Sequence, residues 1–136
     1  MQDMKLTHTR IVAKDIRALT QFYENITGIA RFAGSDDYVE IRTPAGTLAI
    51  TTQRAIDRYG AWGATAAANQ SAIIEFQVDD VDAERRRLAG VIGECVLEPT
   101  TQPWGNRSML FRDPDGNLIN FFTPMRRPAA DGAKTA

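Results

Sequence analysis

This chain of 136 residues has one cysteine and one histidine, so it is poor in the side chains that most often hold metals or run nucleophilic chemistry. Cys95 has no intrachain partner, which excludes a disulfide framework and favours a reducing compartment. No apolar run approaches the length that crosses a bilayer, and the N-terminal residues lack the apolar stretch of a signal peptide. The expectation is a soluble, cytoplasmic protein with no membrane partner. Charge of one sign is also missing: 16 basic residues stand against 17 acidic ones, a formal net charge of −1. That balance argues against nucleic acid as a partner, because phosphate binding needs clustered Lys and Arg. There is no Walker or dinucleotide glycine loop, no paired-cysteine zinc motif and no Gly-x-Ser-x-Gly elbow.

What is present is a core and a repeat. Hydrophobic residues make up 43% of the chain, enough for a core without staples. His8 to Ala13 alternates as a strand. Asp15 then caps a helix whose apolar residues Ile16, Leu19, Phe22, Tyr23 and Ile26 recur at helical spacing, and Gly28 closes it. Tyr38 to Thr43 and Thr47 to Thr52 read as a hairpin around Pro44-Ala45-Gly46. The order then begins again. Ile73 to Val78 is a strand, Asp80 caps a helix through Val81, Ala83 and Leu88 with Gly90 at its end, and a short strand lies near Cys95 to Leu97. A hairpin of Arg107–Arg112 and Asn117–Phe122 completes the half. The pattern is β-α-β-β-β twice, with Asp15 and Asp80 65 residues apart. Residues 53–71 read as a linker with one helical turn, and 124–136 as a flexible tail.

Phe111-Arg112-Asp113-Pro114-Asp115-Gly116-Asn117-Leu118 is a tight hairpin in which Pro114 presets φ, the aspartates bond local backbone and Gly116 supplies positive φ. Together with Leu6-Thr7-His8-Thr9-Arg10-Ile11-Val12-Ala13, Asp15-Ile16 and Gln21-Phe22-Tyr23, it resembles the vicinal oxygen chelate superfamily of glyoxalases, bleomycin-resistance proteins and extradiol dioxygenases. The resemblance implies an α+β fold in which two βαβββ modules form an open eight-stranded, barrel-like cavity. It implies one domain over 5–123, with modules at about 5–52 and 72–123. Strand alternation puts Thr9, Ile11 and Ala13 against the helix and His8, Arg10 and Val12 on the second face. In the repeat, Ile73, Glu75 and Gln77 take that second face, as do Leu118, Asn120 and Phe122 in the last strand. The resemblance implies that these faces line the ligand pocket.

It also implies where a divalent ion would sit in metal-dependent relatives. Those four positions fall here on His8, Ala49, Ile73 and Asn120, only one of which is a strong ligand. The expectation is therefore no metal and no cofactor. Candidate acid–base residues are His8 and Glu75, and the 65-residue register makes Arg10 and Glu75 equivalent, so the two are expected to pair. Pro103-Trp104-Gly105 is similar to the segment that places a tryptophan over a flat ligand in bleomycin-binding relatives, with Phe32, Tyr38, Trp62 and Phe122 as further walls. Glu84-Arg85-Arg86-Arg87 reads as a solvated helix face. The expected ligand site is His8, Arg10, Glu75, Trp104, Asn120 and Phe122. The expected function is metal-free binding of a small molecule, an antibiotic or aromatic metabolite, by a homodimer. The alternative is a lyase, isomerase or dioxygenase-like enzyme on a small polar substrate, using His8 or Glu75 as acid–base, with or without a divalent metal.

Overall fold

The computed structural model describes residues 2–60 and 62–125. They form two compact units, Met1–Asn69 and Gln70–Ala136. Each has one helix followed by three strands after its first strand, as the repeat predicts. Most of the expected tail, residues 126–136, lies outside the described residues, whereas Pro124 belongs to the last strand.

In the first unit, β1 (His8–Ala13) leads into α1 (Ile16–Thr27). Asp15 caps α1 by accepting from the backbone N–H groups of Arg17 and Ala18 at 3.0 and 3.3 Å. Gly28 ends it at φ +72, donating to the Glu24 carbonyl, a conformation that costs glycine little. The buried stripe of α1 is Leu19, Thr20, Tyr23 and Ile26. Three strands follow: β2 (Phe32–Ser35), β3 (Tyr38–Arg42) and β4 (Thr47–Thr52). The sheet order is β1-β4-β3-β2, with β1 and β4 parallel and the other pairs antiparallel. Register puts Ile11 beside Ile50 and Ile50 beside Val39 on the face that α1 covers. Arg10, Ala49 and Glu40 line up across the other face.

Thr52 ends β4 and caps α2 (Gln53–Arg58) by accepting from the Ala55 N–H, so the expected helical turn of the linker is a six-residue helix. Gln53 then ties down the loop that follows. Its Nε2 donates to the Ala64 carbonyl at 3.1 Å, and its Oε1 accepts from the Ala66 N–H at 2.7 Å. The next residue, Ala67, has φ +56, where a Cβ is strained. Ala67→Gly should therefore raise stability by about 0.5 kcal/mol, relief of αL strain outweighing the entropy of glycine. Matched urea melts check this, and an unchanged or lower midpoint would show that the loop relaxes around Ala67.

The second unit repeats the plan with β5 (Ile73–Gln77), α3 (Val81–Arg87), β6 (Cys95–Thr101), β7 (Asn106–Arg112) and β8 (Leu118–Pro124). Its order, β5-β8-β7-β6, and its parallel β5–β8 pair mirror the first sheet. Asp80 caps α3 through the Ala83 N–H. The helix stops at Leu88, earlier than Gly90, which does not adopt positive φ. Met109, Phe111, Ile119 and Phe121 are buried on the helix side, and the Phe111 and Phe121 rings meet edge to face at 5.1 Å. Strand β6 is longer than predicted and runs through Pro99, with register shifts against β7. A proline is tolerated there because β6 is an edge strand. The arginine run is not simply solvated: Arg85 forms a bidentate pair with Glu98 of β6, at 2.8 and 3.1 Å.

Candidate functional site

The polar face of the first sheet carries a cluster centred on Glu40, a carboxylate that pattern reading passed over. Glu40 is only 8% exposed, and every acceptor oxygen is in use. Oε2 accepts from the Tyr38 hydroxyl at 2.7 Å and faces His8 Nε2 at 3.3 Å, while Oε1 accepts from Arg42 Nε at 2.7 Å. The Tyr38 hydroxyl first, then Arg42, holds the Glu40 carboxyl below its ordinary range, against the opposing effect of burial. Burial and the Glu40 carboxylate push the Tyr38 phenol upward, so it stays a neutral donor. His8 is engaged on both sides, since its Nδ1 lies 2.7 Å from the Thr7 hydroxyl. A proton on Nε2 is the one that the Glu40 carboxylate accepts.

Arg10 stands on the same face and is held differently. Its guanidinium carbon lies 5.3 Å from the centre of the Tyr38 ring and 5.5 Å from that of Trp62. Trp62 comes from the loop that Gln53 anchors, and its ring lies 5.1 Å from that of Tyr59. Arg42 packs its guanidinium on the Phe32 ring at 3.5 Å. Of the walls proposed from sequence, Tyr38 and Trp62 thus flank Arg10, and Phe32 backs Arg42.

On the second sheet, register puts Glu75 beside Asn120. The Asn120 amide donates to Glu75 Oε2 at 2.9 Å. Asn120 Oδ1 is buried without a hydrogen-bond partner. Phe122 lies two residues along the same strand face and is half-buried. Trp104 is half-exposed in the turn between β6 and β7, where Gly105 accepts from the Met125 N–H. A cavity of about 930 Å³ in the first unit lies on the other, helix-covered face, between α1, β3 and the start of α2. It is lined by Arg17, Thr20 and Val39 among others, and by none of the ligand residues expected from sequence.

The donor set for a divalent ion does not fit. Ala49 and Ile73 end in carbon, Asn120 is a neutral amide bound to Glu75, and the nearby Glu40 has its oxygens occupied. Among the described residues no three His, Cys, Asp or Glu side chains gather. No described helix is long and apolar enough to cross a membrane.

With this geometry in view, comparison with known proteins is informative. The family model of the Glyoxalase/Bleomycin resistance protein/Dioxygenase superfamily matches residues 5–121, and the chain belongs to that superfamily. Solved structures agree on the fold. A glyoxalase/bleomycin resistance protein/dioxygenase from Nocardioides superposes with a TM-score of 0.79 at 19% identity, covering 100% of this chain and 90% of that one. A lactoylglutathione lyase from Agrobacterium tumefaciens gives 0.72 at 21% identity, covering 90% and 96%. A protein of unknown function from the same bacterium gives 0.76 at 24% identity, also covering 90% and 96%. No curated protein matches this sequence significantly.

Proposed function

We propose that this protein binds a small, partly planar organic molecule on the strand faces opposite its helices and does so without metal chemistry. The observation that carries this reading is the state of the polar groups on the first sheet. Glu40 is ionised and bound by three partners, and His8 is held at both ring nitrogens. Groups so fully engaged shape and rigidify a surface, whereas a general acid or base needs a free position. The exposed ring of Trp62 beside Arg10, with the exposed Tyr59 ring against it, supplies the flat contact area that such a ligand needs. On the second sheet, Glu75, Asn120 and Phe122 hold the equivalent strand face, and Trp104 stands exposed in the turn between β6 and β7. The enzymatic alternative draws less support, since of its two acid–base candidates only Glu75 keeps an oxygen without a protein partner.

A thermal-shift screen of planar antibiotics and aromatic metabolites tests the reading, because a ligand selective for the folded state raises the melting temperature. Saturating hits at 100 times their Kd should add about 2.7 kcal/mol of stability. A full screen without a shift, together with turnover of a small substrate that is lost in Glu75→Gln, would replace binding by catalysis. We also propose a homodimer, since each sheet has open edge strands and symmetric pairs are the commonest oligomers. Light scattering at micromolar concentration should give twice 15.0 kDa, and the monomer mass would refute the dimer.

A further inference from the structure

We infer that the ligand is an organic anion, an aromatic ring bearing a carboxylate, whose charge is taken by Arg10 and whose ring lies against Trp62. The inference rests on the binding reading above and specifies its chemistry.

Three observations converge on it. First, Arg10 is a cation without an ionic partner. Among the described residues it has no hydrogen bond or ion pair, and its contacts are the faces of Tyr38 and Trp62. Second, no carboxylate on that face is left to neutralise it. The face holds the cations Arg10 and Arg42, and the imidazole of His8, around one carboxylate, Glu40. Both Glu40 oxygens are committed to Tyr38, Arg42 and His8. Third, the surroundings of the guanidinium are themselves tied down. The Tyr38 hydroxyl is bonded to Glu40, and Gln53 holds Ala64 and Ala66 in the loop that carries Trp62. Contacts with ring faces use none of the guanidinium's five N–H donors, which stay available to a planar bidentate acceptor. A carboxylate matches that fork, and the ring it is attached to then falls beside Trp62. Trp62 is 57% exposed and so has apolar surface for the ring to cover. A neutral or cationic ligand would leave the fork unused.

The test compares two probes of equal shape, 2-naphthoate and 2-naphthamide, titrated into the full-length protein by calorimetry and tryptophan fluorescence. Naphthoate should bind at least tenfold more tightly than naphthamide, and more weakly as salt is raised. Arg10→Ala should lose at least tenfold of the naphthoate affinity while leaving naphthamide unchanged. Arg10→Lys should recover only part of the loss, because an ammonium lacks the planar fork. Quenching should persist in Trp104→Phe and disappear in Trp62→Phe. Circular dichroism verifies the fold of each variant. Equal affinity for both probes, or naphthoate binding that survives Arg10→Ala, would overturn the anionic assignment while leaving a small-molecule binder in place. Loss in Arg17→Ala instead of Arg10→Ala would put the anion in the cavity beside α1 and also overturn it. Binding of neither probe sinks the inference, and the wider thermal-shift screen then judges the binding reading separately.

Discussion

Asp113→Ala should lower the thermal midpoint by roughly 10 °C, the largest effect expected of any single substitution outside the hydrophobic core. Asp113 organises the β7–β8 turn from a position only 5% exposed. Its Oδ1 accepts from the backbone N–H groups of Asp115 and Asn117, each at 2.9 Å, and its Oδ2 accepts from the Asn117 amide at 2.7 Å. The backbone carbonyl of Asp113 takes the Gly116 N–H, with Gly116 at φ +86. Removing the carboxylate loses three hydrogen bonds in a turn where Asp113 is 5% and Asn117 2% exposed. That combination costs about 3 kcal/mol. Asp113→Asn, which keeps one acceptor oxygen, should recover part of the loss. Calorimetry on the three proteins decides the matter, and a midpoint within 2 °C of the parent for Asp113→Ala would mean that the turn does not depend on the carboxylate.

Glu40→Gln should cost about 2 kcal/mol at pH 7, and the cost should fade in acid. The unfolded value of this carboxyl is 4.5 and the folded value is lower, because the Tyr38 hydroxyl and Arg42 favour the charged form. A depressed carboxyl contributes stability that is fully present above pH 4.5 and lost as the pH falls through the folded value. The gap between parent and variant should therefore be widest near neutrality and narrow below pH 4.5. Glu24 is depressed in the same direction by Arg31, and Asp82 by Arg107, so the parent should weaken in acid overall. Urea midpoints from pH 7 to pH 3 read this directly. A gap that stays constant with pH would show that Glu40 acts through packing and not through charge.

The fold was legible because its signals are local. Asp15 and Asp80 announce helix starts through their own side chains, and Gly116 announces a turn through its φ. Strand β2 lacked such a signal: Phe32-Ala33-Gly34-Ser35 is four exposed residues with no alternation, and it exists only because β3 pairs with it. Glu40 was missed for the opposite reason. In Tyr38-Val39-Glu40-Ile41-Arg42 the alternation is clear, and a polar residue on an alternating strand is expected to face water. What makes it central is register. Glu40 pairs with Ala49, and Ala49 with Arg10, which brings residues 30 positions apart onto one row. The Arg10–Glu75 pairing expected from the repeat followed sequence equivalence. The two residues are equivalent, each on the first strand of its unit. Trp62 lay in a stretch of Ala, Gly and Asn whose anchor, Gln53, is a side chain reaching across the chain and leaves no periodic trace.

The parallel pairing that opens each half also bears on how the chain reaches its native state. In both units the first strand must find the last, His8 beside Thr47 and Ile73 beside Leu118, so each sheet closes only when nearly all of its own segment has been made. Closure of this kind carries a comparable loop entropy in the two halves. Among the described residues, the strand pairings are those within each four-stranded sheet. The first half can therefore complete its sheet on the ribosome while the second is still being synthesised. Native-state hydrogen exchange should accordingly resolve two cooperative blocks, split near Asn69, each opening as a unit.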